Sequence, residues 1–140
     1  MVKTYNPSDV VVIYGAKQIT GFSEDDMITI KPGGSGTQKY VGVDGEVSRS
    51  IDPDTTVEVT MTLATTSDSN DTLMEAYEAD RTYGSGMQEL IIKDLSGSTI
   101  VSAAQAWVAN MPTKKFGKKI DKNEWTMHTG QASSFIGGNS

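Results

Sequence analysis

The segment "TTVEVTMTLATTS", residues 55–67, alternates with a period of two. Val57, Val59, Met61 and Leu63 fall on one side of an extended chain, and Glu58, Thr60 and Thr62 on the other, because successive side chains of a strand point to opposite faces. A helix would scatter the same residues around its circumference. The segment is therefore an amphipathic strand, and its sheet needs one face turned to a core and one turned to water.

The remaining segments extend that sheet. "DVVVIYG" (9–15) is a β-branched run that reads as a strand buried on both faces. "MITIKPG" sets Ile28 and Ile30 against Met27, Thr29 and Lys31, and Pro32 with the following glycines ends it. "MQELIIKDLSG" and "TIVSAAQAWVANMP" are two further strands, the second closed by Pro112. "NEWTMHTGQASSFIGGN" carries a last alternating strand, with Trp125 and Met127 opposite Glu124, Thr126 and His128. Between strands, "SDSNDTLMEAYEADRTYG" reads as a single helix of roughly three turns. Ser, Asp and Asn near 67–70 are its N-cap candidates, Leu73, Met74 and Tyr77 its apolar stripe, and Gly84 its stop. The expected fold class is mainly β, a sandwich or barrel with one short flanking helix, in a single domain spanning 1–140.

One excursion interrupts this plan. After "KPGGSG", Gln38–Val43 is expected to pair back on Glu46–Ile51 through Asp44-Gly45, a dipeptide that favours a type I′ turn. The hairpin has little apolar content and no core of its own, so it reads as an arm made to touch another molecule.

Composition narrows the chemistry. The chain carries 18 acids against 12 bases and no cysteine, which removes disulfides, thiol catalysis and cysteine-ligated zinc and argues against a surface built to grip nucleic acid. The expectation is a soluble protein made in a cytoplasm, with neither signal peptide nor membrane span. His128 is the sole histidine, so no multi-histidine metal site exists and no serine triad has company. "GGSGTQK" lacks the Gly-Lys-Ser/Thr order of a phosphate loop. "DSND" from Asp68 opens like a calcium loop, but Leu73 and Ala79 stand where its glycine and bidentate glutamate belong. "SEDD" (23–26) reads as a solvated acidic turn, and "KKFGKK" as a basic loop docking on an acidic neighbour. No enzyme activity and no cofactor is expected.

Several of these stretches occur in a recognisable order: "VGVDGEVSRS" after a Gly/Ser loop, "VTMTLATTSDSNDTL" running into the helix, "LIIKDLSGST", "AQAWVANMP" and "NEWTMHTGQASSFIGGN". In that order the chain resembles the tail tube proteins of contractile-tailed bacteriophages, which are related in architecture to type VI secretion and bacteriocin tubes. The resemblance implies a virion protein whose hexameric rings stack into a hollow tube. Its partners would be further copies of itself, the tail sheath, baseplate and tail-terminator proteins, and DNA in transient, non-specific passage, with no membrane. The arm would then make the contact between rings through Gln38, Lys39, Tyr40, Val41, Val43, Asp44, Gly45, Val47, Arg49 and Ile51. The polar strand faces would line the lumen with Glu46, Ser48, Glu58, Thr60, Thr62, Glu124 and Thr126. Trp107 and Trp125 are expected in the subunit core with Val57, Val59, Met61 and Leu63. The alternatives are a monomeric β-sandwich whose glycine-rich hairpin grips a ligand, a tube subunit of a bacteriocin or secretion system, and a tube-end or baseplate relative of the same fold.

Overall fold

The computed structural model describes residues 2–23 and 27–138. The acidic stretch Glu24, Asp25 and Asp26 lies outside the described residues. Ten strands and one helix follow a short 3₁₀ turn at Pro7–Asp9: β1 (Val10–Tyr14), β2 (Lys17–Ile19), β3 (Ile28–Pro32), β4 (Thr37–Val41), β5 (Val47–Ile51), β6 (Val57–Ala64), α1 (Ser69–Tyr83), β7 (Gln88–Asp94), β8 (Ile100–Asn110), β9 (Lys122–Thr129) and β10 (Ala132–Phe135). The main sheet is antiparallel in the order β2-β1-β7-β8-β9-β6-β3, with β10 continuing along β8 beyond the end of β9. It is sandwich-like and does not close into a barrel, so β2 and β3 remain as edges.

The alternation in β6 takes the expected form. Val57, Val59, Met61 and Leu63 are buried, and β9 sets Trp125 opposite Met61 and Met127 opposite Val59. These residues join Val12, Tyr14, Leu90, Ile92, Val101, Ala106 and Val108 in one core, which Leu73 and Ala76 of α1 help to cover. α1 has 15 residues, about four turns. At its start Ser67 Oγ accepts from Ser69 N at 3.2 Å, whereas Asp68 makes no side-chain cap bond. Gly84 ends it in the left-handed conformation, φ 67°. Asn70 does something other than cap. Its amide oxygen accepts from Trp125 Nε1 at 2.9 Å, tying the helix to the sheet.

Two strands depart from expectation. β1 is not buried on both faces: Val12 and Tyr14 are buried, whereas on the outer side of the sheet Val11 is half-buried and Ile13 exposed. Tyr14 ends β1 inside the core, its hydroxyl 2.7 Å from Gly86 O and 3.1 Å from Ala106 O. Burial, with the Asp80 carboxylate adding to it, pushes that phenol up to about 12.

Trp107 is the second departure. It is not a core residue but a half-buried one on the outer face, packed edge-on against His128 with ring centroids 6.4 Å apart. The reason is a bulge. Gln88 and Leu90 of β7 face Ala106 and Ala103 of β8, so β8 holds one residue more than its partner over that span. The extra residue reverses the alternation: Ala103 and Ala106 are both buried, and Trp107 turns outward. Trp125, only 2% exposed, should accordingly cost about 3–5 kcal/mol when replaced by alanine. Trp107→Ala should cost about 1 kcal/mol or less. Urea unfolding of the two variants measures the contrast.

Candidate assembly surfaces

The outer face of the β6–β9 ladder is open at Glu58 and His128, while residues 110–113 and Lys115 border a cleft beside Glu124 and Thr126. Its side chains form rows across the strands. One row runs Lys31, Glu58, His128 and Trp107, and the next runs Thr29, Thr60 and Thr126. Glu58, Glu124 and His128 are exposed, and Thr60 and Thr126 half-buried. Thr62 corrects the expectation of a continuous wet strip, since it is only 6% exposed. Its backbone accepts from Ser23 N and donates to Met27 O, so flanking chain runs along this end of β6. The face also carries mixed charge. Lys31 sits directly across from Glu58, and His128 Nε2 lies 4.0 Å from Glu58 Oε2, so the face mixes signs rather than being acids and hydroxyls alone.

The arm is a separate two-stranded sheet of β4 and β5 in which every strand residue is exposed. Its register is Thr37↔Ile51, Gln38↔Ser50, Lys39↔Arg49, Tyr40↔Ser48 and Val41↔Val47. One face therefore bears Lys39, Val41, Val47, Arg49 and Ile51, and the other Gln38, Tyr40, Ser48 and Ser50, with Glu46 following on from Ser48. The turn is not type I′. Gly42 N donates to Glu46 O at 2.8 Å and Gly45 N to Gly42 O at 2.9 Å, leaving Val43, Asp44 and Gly45 as a three-residue loop. Gly45 alone is left-handed, φ 85°, and no residue other than glycine has positive φ among the described residues. This is the glycine-bulge form of hairpin, and the Asp44 side chain stabilises it by accepting from Glu46 N at 3.1 Å.

Where the arm joins the body it is held firmly. Asp52 Oδ2 accepts from Ser35 N and Ser35 Oγ, both at 2.9 Å, while Oδ1 accepts from Asp54 N at 2.9 Å. Asp54 in turn accepts from Thr56 N at 2.9 Å and Thr56 Oγ1 at 2.6 Å. Gly33 N closes the root on Thr56 O at 2.8 Å. A backbone donor from Ser35, then those of Asp54 and the Ser35 hydroxyl, hold the Asp52 carboxyl below the usual carboxylate range. A depressed folded-state value means that this stapling is complete above the ordinary aspartate range and fades as pH falls through the folded value. No composition rule singles out Asp52 as an anchor; the spaced "DPDTT" pattern of side-chain-to-backbone turns was the available signal.

Among the described residues no three His, Asp or Glu side chains converge as a metal site would require, and no helix is long and apolar enough to cross a membrane. The concavities are open clefts rather than enclosed cavities.

The fold recurs in solved structures of a virion and of a contractile injection system. The chain superposes with a TM-score of 0.66 on the sheath/tube terminator of an extracellular contractile injection system, at 11% identity and covering 95% of this chain and 97% of that one. It matches a chain from the virion of a native gene transfer agent particle with a TM-score of 0.63, at 12% identity over 95% of this chain and 100% of that one. In sequence it is 31% identical over 144 residues to "Structural protein ORF10" of Pseudomonas phage KPP10, covering 97% of this chain and 83% of that protein. Residues 7–137 match the family model described as the bacteriophage PhiTE tail tube protein. The chain belongs to that family, and it is a structural subunit of a phage tail tube.

The stapled root makes an expectation for solution. In an NMR titration, the amide protons of Ser35 and Asp54 should move together with a midpoint below that of a free aspartate. Asp52→Asn should abolish the movement while leaving the amides of β6 and β9 in place. Unlinked titrations at the two amides would contradict the staple.

Proposed function

We propose that six copies of this chain close a ring through the edge strands β2 and β3, that rings stack through the β4–β5 arm, and that the resulting tube conducts DNA out of the virion. Sheath, baseplate and terminator proteins are its further partners, the tube ends and outer wall being the surfaces they would meet. The observation that carries this reading is the arm. Val43 has an exposure of 111%, and Tyr40, Val41, Val47 and Ile51 are exposed with it, in a hairpin too small to be stable by itself. Apolar groups held in water on a rigid root are accounted for by a surface that covers them in the assembly.

The edges support ring closure. β2 is three residues long and β3 ends in proline, devices that limit promiscuous pairing. A head-to-tail contact between two different edges closes into a ring when the rotation per subunit allows it. In this arrangement the face of Glu58 and Thr60 lines the lumen, and Glu124 and Thr126, expected there too, border instead the cleft beneath the 111–121 connection. A wall of hydroxyls in which the Glu58 carboxylate stands across from Lys31 neither grips phosphate nor bars its way.

Electron microscopy of the purified protein tests the assembly, with rods or stacked rings expected and dispersed monomers the contrary result. Deleting Gln38–Ser50 with a glycine bridge should leave a folded, β-rich protein that makes no rods. Rods of normal length from that variant would remove the arm from the interface. For the lumen, Glu58→Lys should permit assembly, because an exposed like-charge pair with Lys31 costs at most about 1 kcal/mol. DNA ejection from particles carrying it should slow, and slow less at high salt. Unchanged ejection would place Glu58 elsewhere.

A further inference from the structure

The arm and the "KKFGKK" loop stand at opposite ends of the same ladder. The arm leaves after Pro32 and returns at Val57, which lies beside Thr129. At the far end Ala64 faces Lys122, and residues 111–121 connect β8 to β9 there. β6 has eight residues, which separates the two features by about 25 Å along the strand direction.

Their chemistry is complementary. Residues 113–122 hold five lysines and one acid, whereas the rest of the chain has seven bases and seventeen acids. Lys114 is committed within the fold, with Nζ 3.1 Å from Thr65 Oγ1, 3.3 Å from Asn123 Oδ1 and 5.4 Å above the Phe116 ring. Lys115, Lys118 and Lys119 are exposed and paired with no carboxylate among the described residues. Phe116 is 91% and Ile120 78% exposed beside them. Between this loop and the sheet opens a cleft of about 440 Å³, whose lining includes Met111, Lys115, Lys122 and Glu124. The arm tip offers the matching set: Val43 as an apolar knob, flanked by Asp44 and Glu46.

We infer that the 113–121 loop is the receptor for the arm tip of a second copy, with Val43 entering the cleft beside Met111 and Asp44 and Glu46 meeting Lys115, Lys118 and Lys119. This rests on the tube reading and specifies which surface of the next ring receives the arm. An acidic tip at one end and a cationic loop at the other can satisfy each other only between copies, because the ladder holds them apart within one. The contact is head to tail, so it repeats without closing.

Charge exchange tests the pairing. Asp44→Lys with Glu46→Lys, and separately Lys115→Glu with Lys118→Glu and Lys119→Glu, should each raise the protein concentration needed for rods by about tenfold or more, the sum of several exposed ion pairs. All sites are exposed and the arm packs on no core, so circular dichroism and the thermal midpoint should stay at wild-type values, and Asp44→Asn, which keeps an acceptor for Glu46 N, separates loss of the turn bond from loss of charge. A chain carrying all five changes restores the complementarity with reversed sign, and rods should return at the wild-type concentration. If the loop variant forms rods like wild type, or the five-fold variant does not recover, the pairing is wrong while the tube reading stands. If the loop variant keeps its rods but loses retention of duplex DNA, the lysines belong to nucleic acid and the pairing is likewise overturned. Wild-type protein that forms no rods under any condition overturns both.

Discussion

Everything in this molecule depends on the single buried side of the β6–β9 ladder. Val59, Met61, Leu63, Trp125 and Met127 share one core with residues of β1, β7 and β8 and with Leu73 and Ala76 of α1, and the Trp125–Asn70 hydrogen bond ties the helix to that side. Since the helix occupies one face, the opposite face is left for solvent or for whatever the assembly encloses. The arm, rooted at one end of the ladder, and the lysine-rich loop at the other take their positions from the same two strands. A chain with 36% hydrophobic residues can afford one such core, and its remaining surface is polar.

The sequence revealed the parts whose physics is local. Period-two alternation located β6 and β9, a terminal glycine located the end of α1, and glycine clusters located the roots of the arm. What escaped was set by pairing partners. The Ala103–Ala106 stretch is small on both faces, so nothing in its composition signals the extra residue that turns Trp107 outward. Thr62 obeys the alternation yet is buried, because chain distant in sequence lies along its edge. Asp44-Gly45 points to a hairpin correctly, but the strands' register, not the dipeptide, decides between a two-residue and a three-residue loop.

The candidate surfaces were legible to differing degrees. The arm's separation from the core followed from the glycines at its root, although its exposed side chains include Tyr40, Val41, Val43, Val47 and Ile51, and the mixed polarity of the outer face followed from alternation alone. The Lys31–Glu58 pairing could not be read, since it needs the β3–β6 register. The Asp52–Asp54 staple is likewise a matter of turn geometry, visible only once donors and acceptors are in place. The family assignment carries the structural role, and the likeness to a sheath/tube terminator is one of fold.

Lys39 and Arg49 face each other across the arm, on the same side as Val41 and Val47. Two arms meeting on that side would crowd four cations around four valines, and like charges held directly opposite one another repel. The apolar strip is thus guarded against its own duplicate while staying open to a surface of different make-up. Charged residues on exposed strands act as such gatekeepers against edge-to-edge aggregation. Free subunits that meet at high concentration are thereby kept from tangling arm to arm, and each arm is left to a surface of different make-up.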